Sequence, residues 1–130
     1  MGAEYTFHDY REGGENLIFP WLRGLPVEIR VKFDKWLLHL EGAPPGQWTR
    51  PYVDTLTDQC DGLFEIRVDR SRVHYRLLGC PGPGDRTPTL LHGFIKRGKK
   101  VPPSECSIAL ARKEIVYASA DENREPHKYG

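Results

Sequence analysis

Apolar residues fall into two rhythms along this chain. Between Pro26 and Leu40, Ile29, Phe33, Leu37 and Leu40 recur at three- and four-residue spacing, one stripe down a helix. Pro26 suits a first helical position, Gly42 stops the helix, and Ala43-Pro44-Pro45-Gly46 is a turn. After the turn signal Asp61-Gly62 the rhythm changes to period two. Leu63 to Val68, Arg72 to Leu78 and Thr89 to Ile95 read as strands, the first two joined as a hairpin around Asp69 to Ser71. The third is the most continuously apolar, which places it centrally in a sheet.

The remaining segments are weaker. Tyr5 and Phe7 alternate with Thr6 and His8, predicting a short edge strand closed by Gly13-Gly14. Asn16 to Leu22 allows a helical turn if Pro20 lies in its first turn. Residues 47–62 read as a connector, and Cys80 to Pro88 as a Pro- and Gly-rich loop. Pro102-Pro103-Ser104-Glu105 opens a second helix with Ser104 as its cap. Ile108, Ala111, Ile115 and Ala118 would form its buried stripe. From Asp121 onward the tail is polar and expected to fray. The order strand, helices, three strands, helix predicts an α+β fold: a small, mainly antiparallel sheet with helices packed on one face. A chain of 130 residues suits one domain over 1–130, with an N-terminal strand and turn at 1–15 and a polar tail at 120–130.

Charge changes this picture. The formal net charge is only +1, yet residues 62–113 carry eleven basic against four acidic side chains, a net +7. The residues before them total −4 and those after them −2. A basic module between acidic flanks is the electrostatic footprint of a phosphate-rich partner. No apolar run nears the roughly 20 residues that span a bilayer, and no secretory signal is visible. Met1-Gly2 with Thr6 meets the minimal myristoylation pattern, a short one easily met by chance. Cys60, Cys80 and Cys106 are odd in number and lack C-x-x-C spacing. They fit neither a disulfide framework nor a zinc site, so they read as packing residues in a reducing, cytoplasmic setting.

Alternation then sorts the candidate chemistry. Phe64, Ile66 and Val68 share one face of their strand, and Glu65 and Arg67 the other. Val73, Tyr75 and Leu77 oppose His74 and Arg76. If the strands pair as a hairpin, Arg67 and Arg76 lie close together. Two guanidiniums side by side suit a phosphodiester; equally, they are surface arginines balanced by Glu65 and Asp69. His92 shares a face with Leu90, Phe94 and Lys96. It is a packing residue or, beside a basic cleft, a proton carrier near neutral pH. Lys96, Arg97, Lys99 and Lys100 form either a solvated turn or a cradle for a nucleic-acid backbone. Tyr117 is the nearby aromatic candidate for base stacking. No Gly-rich phosphate loop, H-E-x-x-H, G-x-S-x-G or carboxylate cluster for Mg²⁺ is present, so no cofactor or metal is expected.

Taken in order, KFDKWLLHLEG, PYVDTL, GLFEIRV, YRLL, LLHGFIKRGKKVPPSE and IALARKE resemble the phage-derived HigB-like branch of the RelE/ParE toxin superfamily, from about Leu25 to Tyr117. The resemblance implies a RelE-like microbial-RNase fold and the toxin of a type II toxin–antitoxin pair. Such a toxin is a ribosome-dependent mRNA endoribonuclease, in which a ribose 2′-hydroxyl attacks the neighbouring phosphate without a metal. By motif position, Arg67 and Arg76 would stabilise the scissile phosphate, with His92 and Lys96 also catalytic. Arg97, Lys99 and Lys100 would hold the RNA or ribosomal RNA backbone. Implied partners are mRNA, the ribosome and a cognate antitoxin with a helix-turn-helix, which alone would touch operator DNA; no membrane is involved. The alternatives are a non-catalytic RNA- or protein-binding module of the same fold, or a phage structural or accessory protein.

Overall fold

A computed structural model describes residues 4–130, so the Met1-Gly2 lipidation pattern lies outside the described residues. The described residues form one seven-stranded sheet of order β2-β1-β6-β5-β4-β3, with β7 pairing β1. The strands are β1 (His8–Glu12), β2 (Glu15–Asn16), β3 (Val53–Thr55), β4 (Phe64–Arg70), β5 (Val73–Cys80), β6 (Thr89–Lys96) and β7 (Arg124–Pro126). The helices are α1 (Phe19–Arg23), α2 (Val27–Gly42), α3 (Pro103–Ala118) and α4 (Ala120–Asn123). All pairs are antiparallel except β1 with β6. The α+β class and the mainly antiparallel sheet match the sequence pattern. Among the described residues no helix is long and apolar enough to cross a membrane.

Helix α2 buries Ile29, Phe33, Leu37 and Leu40, the stripe the spacing predicts. The hairpin β4–β5 turns through Ser71 and Arg72, both in the left-handed region (φ 52° and 66°). That is the two-residue turn whose twist matches its strands. It fixes the register and sets Arg67 directly opposite Arg76. β6 is flanked by β5 and β1, so it is central as its composition predicts.

The helices occupy both faces of the sheet rather than one. Neighbouring residues on a strand point to opposite faces. A β-carbon at Gly93 would collide with the Trp21 indole of α1, whereas the adjacent His92 bonds Glu105 of α3. The absence of a side chain at Gly93 is what lets Trp21 lie flat on β6 and pack against Phe33 of α2.

Five further expectations are corrected. The first strand is not a Tyr5–His8 edge; it runs His8–Glu12 between β6 and β7, with Phe7 and Tyr10 in the core. Its partners come from distant segments that local alternation cannot reveal. Part of the connector forms β3. Helix α3 starts at Pro103 with Pro102 in the cap position, and Ser104 makes no cap bond. It buries Cys106, Ala109 and Val116, leaving Ile108 and Ile115 39% and 40% exposed. Small side chains let α3 approach the sheet closely, so bulk misled the choice of face. The tail does not fray: β7 pairs β1, and His127 is buried against Asp9 at 2.8 Å.

The cysteine reading also changes. Cys60 and Cys106 form a disulfide, with Cα atoms 5.2 Å apart, and only Cys80 is free and buried. A 3-10 turn, Asp58–Cys60, carries Cys60 to the first turn of α3. This contact depends on tertiary packing, and the 46-residue separation hides it from any spacing rule.

A basic cleft as candidate functional site

The arginine face of the sheet carries three cross-strand rows. Asp54, Glu65, Leu78 and His92 form one, Arg67, Arg76 and Phe94 the next, and Asp69, His74 and Lys96 the third. Period-two alternation thus delivers polar side chains from four strands onto one surface. Beside it lies a cleft of roughly 540 Å³ between the 58–60 turn, β3, β4 and the loop after Lys96. Its cations are Arg50, Arg67, Lys96, Lys99 and Lys100; its carboxylates are Asp54, Asp58 and Glu65.

Of the residues singled out in the sequence, Arg67, Lys96, Lys99 and Lys100 line this cleft, and Arg76, Arg97 and His92 do not. Arg67 is partly exposed and faces Asp54 at 3.7 Å. A pair of this exposure contributes about 0–1 kcal/mol, so an incoming anion competes readily for the guanidinium. Arg76 is different. It is 4% exposed, and its guanidinium bonds Asp69 at 2.6 Å and the Tyr75 carbonyl at 2.9 Å. Glu65 lies 3.8 Å from its Nε. Asp69 is half exposed, but Glu65 is as buried as Arg76, and breaking a buried pair costs about 3–5 kcal/mol, so Arg76 stays committed to these carboxylates. The two arginines oppose each other, but only Arg67 is available to a ligand. Arg97 is exposed outside the cleft. His92 stacks on Phe94 and is held by Glu105 at 2.6 Å.

Glu65 is the feature that sequence reading passed over as mere charge balance. It is 2% exposed and lines the cleft. Burial pushes its pKa up, against the opposing pull of Arg76, Lys96 and Arg67. Its Oε2 and the Nε of Arg76 both lack a hydrogen-bond partner. A buried carboxylate oxygen without a donor is an avid proton acceptor. The alternation did place Glu65 on the Arg67 face; only burial gives it this chemistry. By contrast, the hydrogen bond from Arg50 holds Asp54 below the usual carboxylate range. The two carboxyls of one row therefore differ in proton affinity, a separation typical of acid–base sites.

The rest of the basic module is dispersed. Arg70 pairs with Glu28, Arg86 with Glu4, Arg112 bonds the Leu91 carbonyl, and Lys113 reaches the Gly62 carbonyl. Tyr117 is exposed beside Lys113 and does not line the cleft. Among the described residues no group of three or more His, Cys, Asp or Glu is placed to hold a metal ion.

No curated protein matches the chain. The family model described as phage derived protein Gp49-like (DUF891) matches residues 20–114, a span that contains all the cleft residues. The chain therefore belongs to the Gp49-like family of phage-derived proteins.

Proposed function

We propose that this protein is a toxin of the HigB-like kind that cleaves mRNA on the ribosome and is neutralised by a cognate helix-turn-helix antitoxin. The observation that carries the reading is the meeting, in one cleft, of five cations and a buried glutamate of raised pKa. The Gp49-like family is related to RelE-type toxins, which supports the same conclusion.

Attack of a ribose 2′-hydroxyl on the adjacent phosphate needs a proton acceptor, charge on the non-bridging oxygens and a proton for the leaving 5′-oxygen. Glu65 takes the 2′-hydroxyl proton. Arg67 and Lys96 hold the phosphate, and Arg67 gains charge-assisted hydrogen bonds as negative charge builds there. Lys99 and Lys100 grip the flanking backbone, whose contacts position without reading sequence. Lys96, an ammonium at the same cleft, is the proton source for the leaving oxygen. Arg76 acts through Glu65, holding it in place from behind. His92, two strands away on the Glu65 row, is a reserve candidate for proton transfer.

A non-catalytic RNA-binding module is the second reading. The commitment of Arg76 favours it, since one strand guanidinium rather than two remains for a phosphate. Expression in a bacterial host separates the readings. Growth arrest, relieved by the Arg67→Ala, Lys96→Ala double variant and by co-expressed antitoxin, supports the toxin. Arrest that persists in a double variant shown to be folded contradicts the site.

A further inference from the structure

A second hollow of roughly 270 Å³ adjoins the cleft. It shares Arg50 and Arg67 with the cleft and adds Lys32, Trp36 and Pro51. Trp36 lies on α2, and its Nε1 donates to the backbone carbonyl of Arg67 at 3.2 Å. That bond fixes the indole beside the residue assigned to the phosphate. From another side Tyr52 packs edge-on at 4.8 Å, and Tyr52 is itself stacked on His39 at 3.8 Å. The indole is thus braced by a hydrogen bond and an aromatic neighbour, so its orientation is set before a ligand arrives.

What now lies over the ring is Lys32, with Nζ 4.6 Å from the centroid. Lys32 is an exposed side chain on a flexible stem. An exposed cation–π contact is weak, and a nucleobase stacked on an aromatic side chain gains more. The base therefore displaces the ammonium, which becomes free to meet a phosphate.

Resting on the RNA reading above, we infer that this hollow is a base-stacking subsite. Trp36 takes the base of a nucleotide flanking the phosphate held by Arg67, and Lys32 and Arg50 neutralise the backbone on that side. The subsite prefers single-stranded RNA, because a base must leave its helix to lie on the indole.

The test uses a fluorescein-labelled 2′-O-methyl pentaadenylate, which cannot undergo 2′-hydroxyl attack, and a ribose-phosphate chain of the same length without bases. Binding is followed by anisotropy at low salt. The wild-type protein should bind the intact chain about tenfold more tightly than the baseless one, the equivalent of about 1.4 kcal/mol. Trp36→Leu should lose that preference while holding the baseless chain within about twofold. Trp36→Phe, which keeps a stacking face, should retain most of the preference and guards against a folding artefact. Arg67→Ala should weaken both ligands. Equal weakening of both ligands in Trp36→Leu, or no change in either, overturns the subsite and leaves the RNA reading standing. Failure of the wild-type protein to bind either chain overturns the RNA reading itself, and the subsite with it.

Discussion

At the scale of single residues, the site turns on the contrast between Glu65 and its two arginines. Burial raises the Glu65 pKa and nearby cations restrain the rise. As a proton acceptor Glu65 must be ionised, so the cleavage rate should climb with pH through a midpoint above the free value of 4.5. Glu65→Gln should abolish that acid limb and most of the rate; a rate profile across pH 4.5–8 checks both. The arginines should separate by stability instead. Arg67→Ala removes a half-exposed pair and should cost under about 1 kcal/mol. Arg76→Met strands Glu65 beside a dispersed Asp69 charge and should cost about 3 kcal/mol. Urea denaturation of both variants measures the difference; equal costs would mean that Arg76 is not locked. The sequence showed both arginines on one face, because strand period is local. It could not show which one was already occupied, because Asp69 and Glu65 reach Arg76 only after the sheet forms.

Among the elements, the tie between the 58–60 turn and α3 governs the wall of the cleft. Cys60 lines the cleft, and its disulfide closes a loop of 46 residues. Loop-closure entropy for that length corresponds to about 4 kcal/mol. Reductant or Cys60→Ser should therefore lower stability markedly, read as a fall in the denaturation midpoint. A midpoint that ignores reductant would show that the two thiols merely touch. The β1–β7 pairing makes a second prediction. His127 sits between Asp9 and Asp34, and although burial disfavours its charge, the bond to Asp9 and both carboxylates raise its pKa above 6.5. A raised folded pKa stabilises fully below pH 6.5 and is lost as pH rises through the folded value. Stability should fall over that window, and His127→Gln should flatten the fall. Helix α2, the β4–β5 hairpin and central β6 were legible because their signals are local: an apolar stripe, a period of two and a continuous apolar run. The β1 and β7 partners, the 60–106 bond and the inward face of α3 were not. Each depends on residues far apart in the chain or on small side chains that carry little pattern.

Across the whole molecule, a near-neutral charge is sorted into a few committed pairs and one cleft where cations outnumber carboxylates five to three. The net +7 of residues 62–113 overstated the basic surface, since five of its cations, Arg70, Arg76, Arg86, Arg112 and Lys113, are engaged elsewhere. Of the six that remain, Arg67, Lys96, Lys99 and Lys100 line the cleft, joined by Arg50 from the acidic N-terminal flank. Such a compact cationic site should bind RNA with a shallow salt dependence, through few phosphates. The account is tested most directly by mapping fragment ends on mRNA held in purified ribosomes and exposed to the protein. It predicts cuts at ribosome-occupied codons that leave 5′-hydroxyl ends, retained in Arg97→Ala and lost in Glu65→Gln. Cleavage at wild-type rate by a folded Glu65→Gln variant would contradict it.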